Sequence, residues 1–164
     1  MIGKTLLFLF VMALGLELGA GMYETLVVMP VWSLGPPESV TAYYQHNAAA
    51  PQFALNAGGR FWIFFTPLVG LLSIATLLSG LRTAPEHRKW RIAGSVLALL
   101  VVVSTFAWFV PNIIKLTGPT VMTMSPEDVA STTNWWVRLN WVRAAAYFAA
   151  WIAALRALSL SPRV

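Results

Sequence analysis

Residues 61–81 and 92–110 are two runs, FWIFFTPLVGLLSIATLLSGL and IAGSVLALLVVVSTFAWFV, that contain no charged residue. At 1.5 Å per residue, about 20 apolar residues in a helix match the roughly 30 Å hydrocarbon core of a bilayer. Two further runs extend the pattern: residues 5–29, apolar apart from Glu17 and Glu24, and residues 135–156, where Trp, Ala and Val surround Asn140 and Arg143. With 58% of its 164 residues hydrophobic and 10% charged, the chain has room for four spans but cannot make an ordinary soluble surface. The expected fold is all-α: an integral membrane four-helix bundle, a single domain over 1–164, with spans at about 5–29, 61–81, 92–110 and 135–156.

Turn-forming residues place the connections. Residues 30–60 hold Pro30, Gly35-Pro36-Pro37, Pro51 and Gly58-Gly59, which break helices and make loops. Within them Glu38–Ala50 is expected as a short helix bounded by Pro37 and Pro51. A segment this long folds over the bundle as a lid. Residues 111–134 form a second long loop. There Ser125-Pro126-Glu127-Asp128 is a helix start, with Ser as cap, Pro first and acids in the first turn. Residues 82–91, RTAPEHRKWR, are a short basic turn. The first run is too long, and with two glutamates too acidic, for a cleaved signal peptide; it is read as a retained span.

The basic residues orient the bundle. Lys4, Arg82, Arg88, Lys89, Arg91, Arg156 and Arg163 fall on the side of both termini, against Arg60, Lys115, Arg138 and Arg143 on the other. The positive-inside rule then puts both termini and the 82–91 turn in the cytoplasm. The 30–60 and 111–134 loops lie outside, and the expected location is the cell (inner) membrane, multi-pass. The net charge of +5 builds no aromatic-laced basic patch, so no nucleic-acid partner is expected. Without cysteine the chain forms no disulfide, thiolate metal site or covalent c-type haem. Eight tryptophans suit interface belts and an aromatic pocket.

Polar residues inside the spans are the candidates for function. On a helical projection Asn140, Arg143, Tyr147 and Trp151 share one stripe. An arginine facing lipid there costs roughly 2.5–3.5 kcal/mol, so it is expected to face a partner or a cavity. Glu17 and Glu24, seven apart, share a face of the first span, with Gly21 between them to admit a neighbour closely. Glu24 sits about 10 Å deep, counted at 1.5 Å per residue, and Arg143 at a similar depth. Antiparallel spans one and four would pair the two and offset their desolvation. Glu17 would lie deeper, near Tyr147 or Trp151. Each of these groups also has a purely architectural reading, as a clamp between helices. His46 is the one histidine expected outside, in the lid with Tyr43, Tyr44 and Asn47. One histidine and two distant glutamates do not make a metal site, so no metal is expected.

Three segments carry a resemblance: GAGMYETLVVMPVW in the first span, PNIIKL after the third, and WWVRLNWVRAAAY in the fourth. They resemble the anthrone oxygenase-like family of small four-span membrane proteins. That family's last span bears a W-x-x-x-N/H-x-x-R signature, here Trp136, Asn140 and Arg143. The resemblance implies a cofactor-independent oxygenase acting on a flat, hydrophobic aromatic ketone such as an anthrone.

Such chemistry begins by removing a proton beside the ketone, giving an enolate that passes an electron to O₂. It calls for a base, a cation or donor for the enolate oxygen, and a dry aromatic pocket. Glu24 or His46 would be the base, and Arg143 with Asn140 the oxyanion partner. Glu17, Tyr43, Asn47, Trp136, Tyr147 and Trp151 would bind substrate in a pocket among spans one, two and four. Two other readings stand beside this one. The first is a non-catalytic binder of a lipid or quinone-like ligand, or a subunit of a larger complex. The second is a haem-dependent isomerase or oxidoreductase using His46. The expected partners are a hydrophobic small molecule and the lipid bilayer, and the composition is compatible with a homo-oligomer.

Overall fold

The computed structural model describes residues 2–49, 57–81 and 84–160, and every regular element among them is helical. Helix α1 (Ile2–Tyr23) runs through a π segment (Glu24–Val28) into α2 (Met29–Ser33). A short α3 (Glu38–Ala49) follows, then α4 (Ala57–Gly80). Helix α5 (Pro85–Ser104) runs through a second π segment (Thr105–Phe109) into α6 (Val110–Thr117). A 3-10 turn (Pro119–Thr123) leads to α7 (Pro126–Ser159). The four long helices form a ring in which α1 and α5 each pack against both α4 and α7. Thr25 meets Asn140, Glu17 meets Tyr147 and Gly15 meets Trp151, so α1 and α7 run antiparallel.

Three stretches, Gly3–Ser33, Phe61–Gly80 and Pro85–Thr117, are long and apolar enough to cross a membrane. Their outward faces are large and apolar, with Phe8, Leu16, Phe64, Leu71, Leu100 and Val103 exposed. Lipid satisfies such faces and water does not, and this marks a membrane protein. Helix α7, at 34 residues, is long but does not reach the same apolarity.

Two prolines expected to close spans do not. The first helix continues through Pro30 to Ser33, and the third through Pro111 to Thr117. A proline lacks its N–H and its ring clashes with the carbonyl four residues back. Both are accommodated alike, by a π segment ending two residues before the proline. Met29 N–H bonds to the Glu24 carbonyl and Val110 N–H to the Thr105 carbonyl, each one residue wider than an α turn. The wider turn inserts one residue into the helical register. Seven residues beyond Glu24 stands Val31, which is 69% exposed, whereas its neighbour Trp32 is 2% exposed.

The expected loops therefore contract. Residues 111–134 hold most of α6, the 3-10 turn and the first turns of α7, and residues 85–91 are the start of α5 rather than a turn. Ser125 caps α7 as expected, its Oγ accepting from Asp128 N–H at 3.1 Å, with Pro126 at the first position. The lid helix appears as α3, ending at Ala49; Pro51 lies outside the described residues.

Two apolar clusters fill the bundle. One, at the end holding the start of α1, joins Leu7, Phe10, Leu14, Val69, Val102, Ala150 and Ala154. There α5 and α7 nearly touch. A Cβ on Gly94 would stand 3.0 Å from the Ala150 carbonyl oxygen and 3.2 Å from Ala154 N. Small residues permit that approach where lipid removes the hydrophobic drive between helices. Arg91, buried at this end, donates to the Gly3 carbonyl at 2.9 Å and ties α5 to the start of α1. The other cluster, at the α3 end, joins Trp32, Val40, Phe109, Leu116, Val121 and Trp136. Trp136 is its centre. Its ring meets Trp32 edge-on at 5.3 Å and Phe109 at 5.7 Å, and its Nε1–H donates to the Phe109 carbonyl at 3.3 Å.

Candidate functional site

Between the two clusters lies a cavity of about 360 Å³, walled by α1, α4, the second π segment with α6, and α7. Both π segments face it, through Glu24 and Thr25 on one side and Thr105, Phe106 and Phe109 on the other. π turns recur at functional sites because they re-aim side chains that a regular helix would bury elsewhere.

The deep end is a three-residue knot. Tyr147 O–H donates to Glu17 Oε1 at 3.0 Å and Thr66 O–H donates to the same oxygen at 3.2 Å. Glu17 Oε2, also buried, has no hydrogen-bond partner. A second knot lies toward the α3 end. Thr25 spends its one proton on the Gly21 carbonyl at 2.7 Å, so its oxygen can only accept, and Asn140 Nδ2 donates to it at 2.6 Å. That fixes the amide: Asn140 Oδ1 is left as a buried acceptor without a partner.

Glu24 and Arg143 face each other across this space. Each is the strongest charge acting on the other. The side chain of Trp62 hydrogen-bonds to Glu24, whose Oε2 is buried and unpartnered. The Arg143 guanidinium carbon stands 4.5 Å from the Phe109 ring centre and 5.9 Å from that of Trp136. Stacking on two rings holds the guanidinium plane by cation–π attraction. It leaves the N–H edges open, because among the described residues the side chain donates no hydrogen bond. Among the described residues the cavity thus offers one planar cation and three unpartnered acceptors, on Glu17, Glu24 and Asn140.

Six of the ten expected residues line the cavity: Glu17, Glu24, Trp136, Asn140, Arg143 and Tyr147. Trp151 does not; it packs in the first cluster, its Nε1 within 3.2 Å of where a Cβ on Gly15 would sit. Tyr43 packs against the α3-end cluster, His46 is exposed on α3, and Asn47 sits beside it; none of the three is on the cavity wall. The expected pocket among three spans gains the third as its fourth wall. Thr25, Thr66, Trp62 and Phe109 were not anticipated. Threonines and aromatics within apolar helices carry no periodic signal that separates cavity from core.

An all-helical membrane protein whose bundle encloses a buried carboxylate–arginine pocket is the class that fold and site define. Residues 43–153 match the anthrone oxygenase family, and the chain belongs to that family. The match holds Pro111–Leu116 and the Trp136, Asn140 and Arg143 signature; the α1 residues of the cavity precede it. No curated protein and no solved structure matches the chain.

Proposed function

We propose that this chain is a membrane-embedded, cofactor-independent oxygenase of a hydrophobic aromatic ketone of the anthrone type. One observation carries the reading: Arg143, whose guanidinium stacks on Phe109 and Trp136 and donates no hydrogen bond among the described residues, lines the same cavity of about 360 Å³ as the unpartnered Oε2 of Glu24. A flat ketone lying between them presents its oxygen to the arginine and its acidic C–H to the carboxylate.

Glu24 Oε2 takes the proton from the carbon across the ring from the ketone, and Arg143 holds the resulting enolate oxygen. The enolate gives one electron to O₂, the radical pair joins as a peroxide anion at that carbon, and Glu24 returns its proton to make the hydroperoxide. Loss of water, in which the carbon's remaining hydrogen leaves with the outer hydroxyl, gives a second carbonyl. One O₂ is consumed and one water formed per substrate. Asn140 Oδ1 accepts a hydrogen bond from substrate, and the Glu17–Tyr147–Thr66 knot closes the deep end. His46, exposed on α3, has no part in these steps, and no haem is called on. Helix α7 is the fourth span, both termini are cytoplasmic, and the membrane is the cell membrane.

The test is oxygen uptake by the purified protein in lipid nanodiscs supplied with anthrone. Wild type is expected to consume one O₂ per anthraquinone formed, and Glu24→Gln to lose about 10²–10⁴ in rate, the usual contribution of a general base. Anthrone that binds without oxygen uptake would make the protein a ligand binder instead.

A further inference from the structure

The cavity is closed at both ends of the bundle and thin at one side. Below Glu17 the first apolar cluster, with Phe10, Leu14 and Val69 fully buried, plugs the interior. Toward α3, Trp32, Leu116 and Trp136 close the opposite end, and Val40 of α3 is sealed among them. Helix α4 packs along α1 and α5, yet among the described residues it contributes nothing to that α3-end cluster. Among the described residues, then, α4 adds no side chain to the packing that joins α6 to α3 and α7.

The wall at this place is apolar and double-faced. Ile63 of α4, Phe106 of the π segment and Ile114 of α6 all line the cavity, and they are 58%, 49% and 62% exposed. A residue that borders the cavity and lies so open marks a thin wall. Both helices belong to stretches long and apolar enough to cross a membrane, and large apolar side chains this exposed are better satisfied by lipid than by water. The charged groups of the cavity, Glu17, Glu24 and Arg143, stand on α1, its π segment and α7, and among the described residues α4 and α6 bring no charged side chain to its wall.

We infer that the cavity is loaded sideways from the bilayer, through a portal between α4 and α6 bordered by Ile63, Phe106 and Ile114. The portal admits flat apolar molecules already dissolved in lipid, and it discriminates against charged or strongly hydrated ones before they reach Glu24 and Arg143. This rests on the reading of the cavity as a substrate site. Water-borne solutes have no comparable route through the two apolar clusters.

The chain has no cysteine, so introduced thiols are unambiguous. The pair Ile63→Cys with Ile114→Cys is joined by a short thiol-to-thiol cross-linker in nanodiscs, with the alkylated single variants as folding controls. Anthrone predissolved in lipid vesicles is the probe, and its association is followed by quenching of native tryptophan fluorescence. Cross-linking is expected to slow association at least tenfold and leave the final quench unchanged; an unchanged rate overturns the portal. In a second arm a nitroxide at Ile114→Cys is relaxed by oxygen or by a water-soluble nickel chelate. Relaxation by oxygen alone is expected, and equal relaxation by the chelate overturns the portal whatever anthrone does. If anthrone quenches neither form, the substrate reading fails and the relaxation arm alone decides the route.

Discussion

Replacing Arg143 by lysine separates catalysis from architecture. The substitution keeps a positive charge opposite Glu24, the strongest charged partner of Arg143, so no carboxylate is left alone. What is lost is the flat guanidinium, 4.5 Å from the Phe109 ring and 5.9 Å from that of Trp136. Desolvated cation–π contacts contribute about 1–2 kcal/mol, which sets the expected loss of stability. The catalytic loss is larger. An ammonium cannot present two parallel donors to an enolate oxygen, and removing one well-aimed oxyanion donor costs about 2.7–4 kcal/mol, or roughly 10²–10³ in rate. The assay pairs oxygen uptake on anthrone with a thermal midpoint read by tryptophan fluorescence, both in nanodiscs. The expected Lys variant is folded, slightly less stable and slower by that factor. If its rate falls only in step with its folded fraction, Arg143 is an interhelical clamp and the oxyanion assignment is wrong.

Tyr147→Phe removes the 3.0 Å bond to Glu17 and leaves that carboxyl only Thr66 at 3.2 Å. The expected cost is about 1–3 kcal/mol, and a double-mutant cycle with Glu17→Gln should be non-additive by about 0.5–3 kcal/mol. Additive effects would mean the bond contributes nothing. Gly94→Val drives a branched side chain into the α7 backbone, where even a Cβ stands 3.0 Å from the Ala150 carbonyl oxygen; it should lower stability by about 1–3 kcal/mol or more. Gly19→Ala, with nothing within 4 Å of the new methyl, should instead stabilise by about 0.5–1 kcal/mol, both read from detergent melting midpoints. A reporter fused after Val164 should be cytoplasmic and one inserted between Gly118 and Ser125 external; both on one side would remove α7 as a fourth span, and the reversed pattern would invert which end of the bundle faces out.

Much of the helical layout was legible because apolar runs and caps are local signals. The run expected at 61–81 appears as Ala57–Gly80, and the Ser125-Pro126 start is where α7 begins. Pro30 and Pro111 were misleading for an equally physical reason. A proline reads as a stop, and nothing local announces a π segment that carries the helix past it. The inserted residue also moves the buried face from Val31 to Trp32, which a seven-residue count cannot foresee. At the cavity, a stripe on α7 located Asn140, Arg143 and Tyr147, since an unpaired arginine must find an interior. Trp151 shares their stripe, but eleven residues carry it about 16 Å along the axis from Asn140, past the cavity floor. His46 qualifies by its chemistry and not its position, and α3 holds it on the surface. Asn140 was expected to donate to an oxyanion. Only the Asn140–Thr25 bond, formed across two helices, with Thr25's own proton spent on Gly21 one turn back, reveals that its acceptor oxygen is the one without a partner among the described residues.

The central claim is that Glu24 removes a proton while Arg143 holds the enolate, and it can be tested without turnover. Anthrone is added to the protein in nanodiscs under strict exclusion of oxygen, and the absorption spectrum of the bound molecule is recorded. The ionised, enolate form of anthrone should appear in wild type, be absent in Glu24→Gln, and bleach to the quinone spectrum when oxygen is admitted. Bound anthrone that stays neutral in wild type, or an enolate that forms equally in Glu24→Gln, would contradict the account.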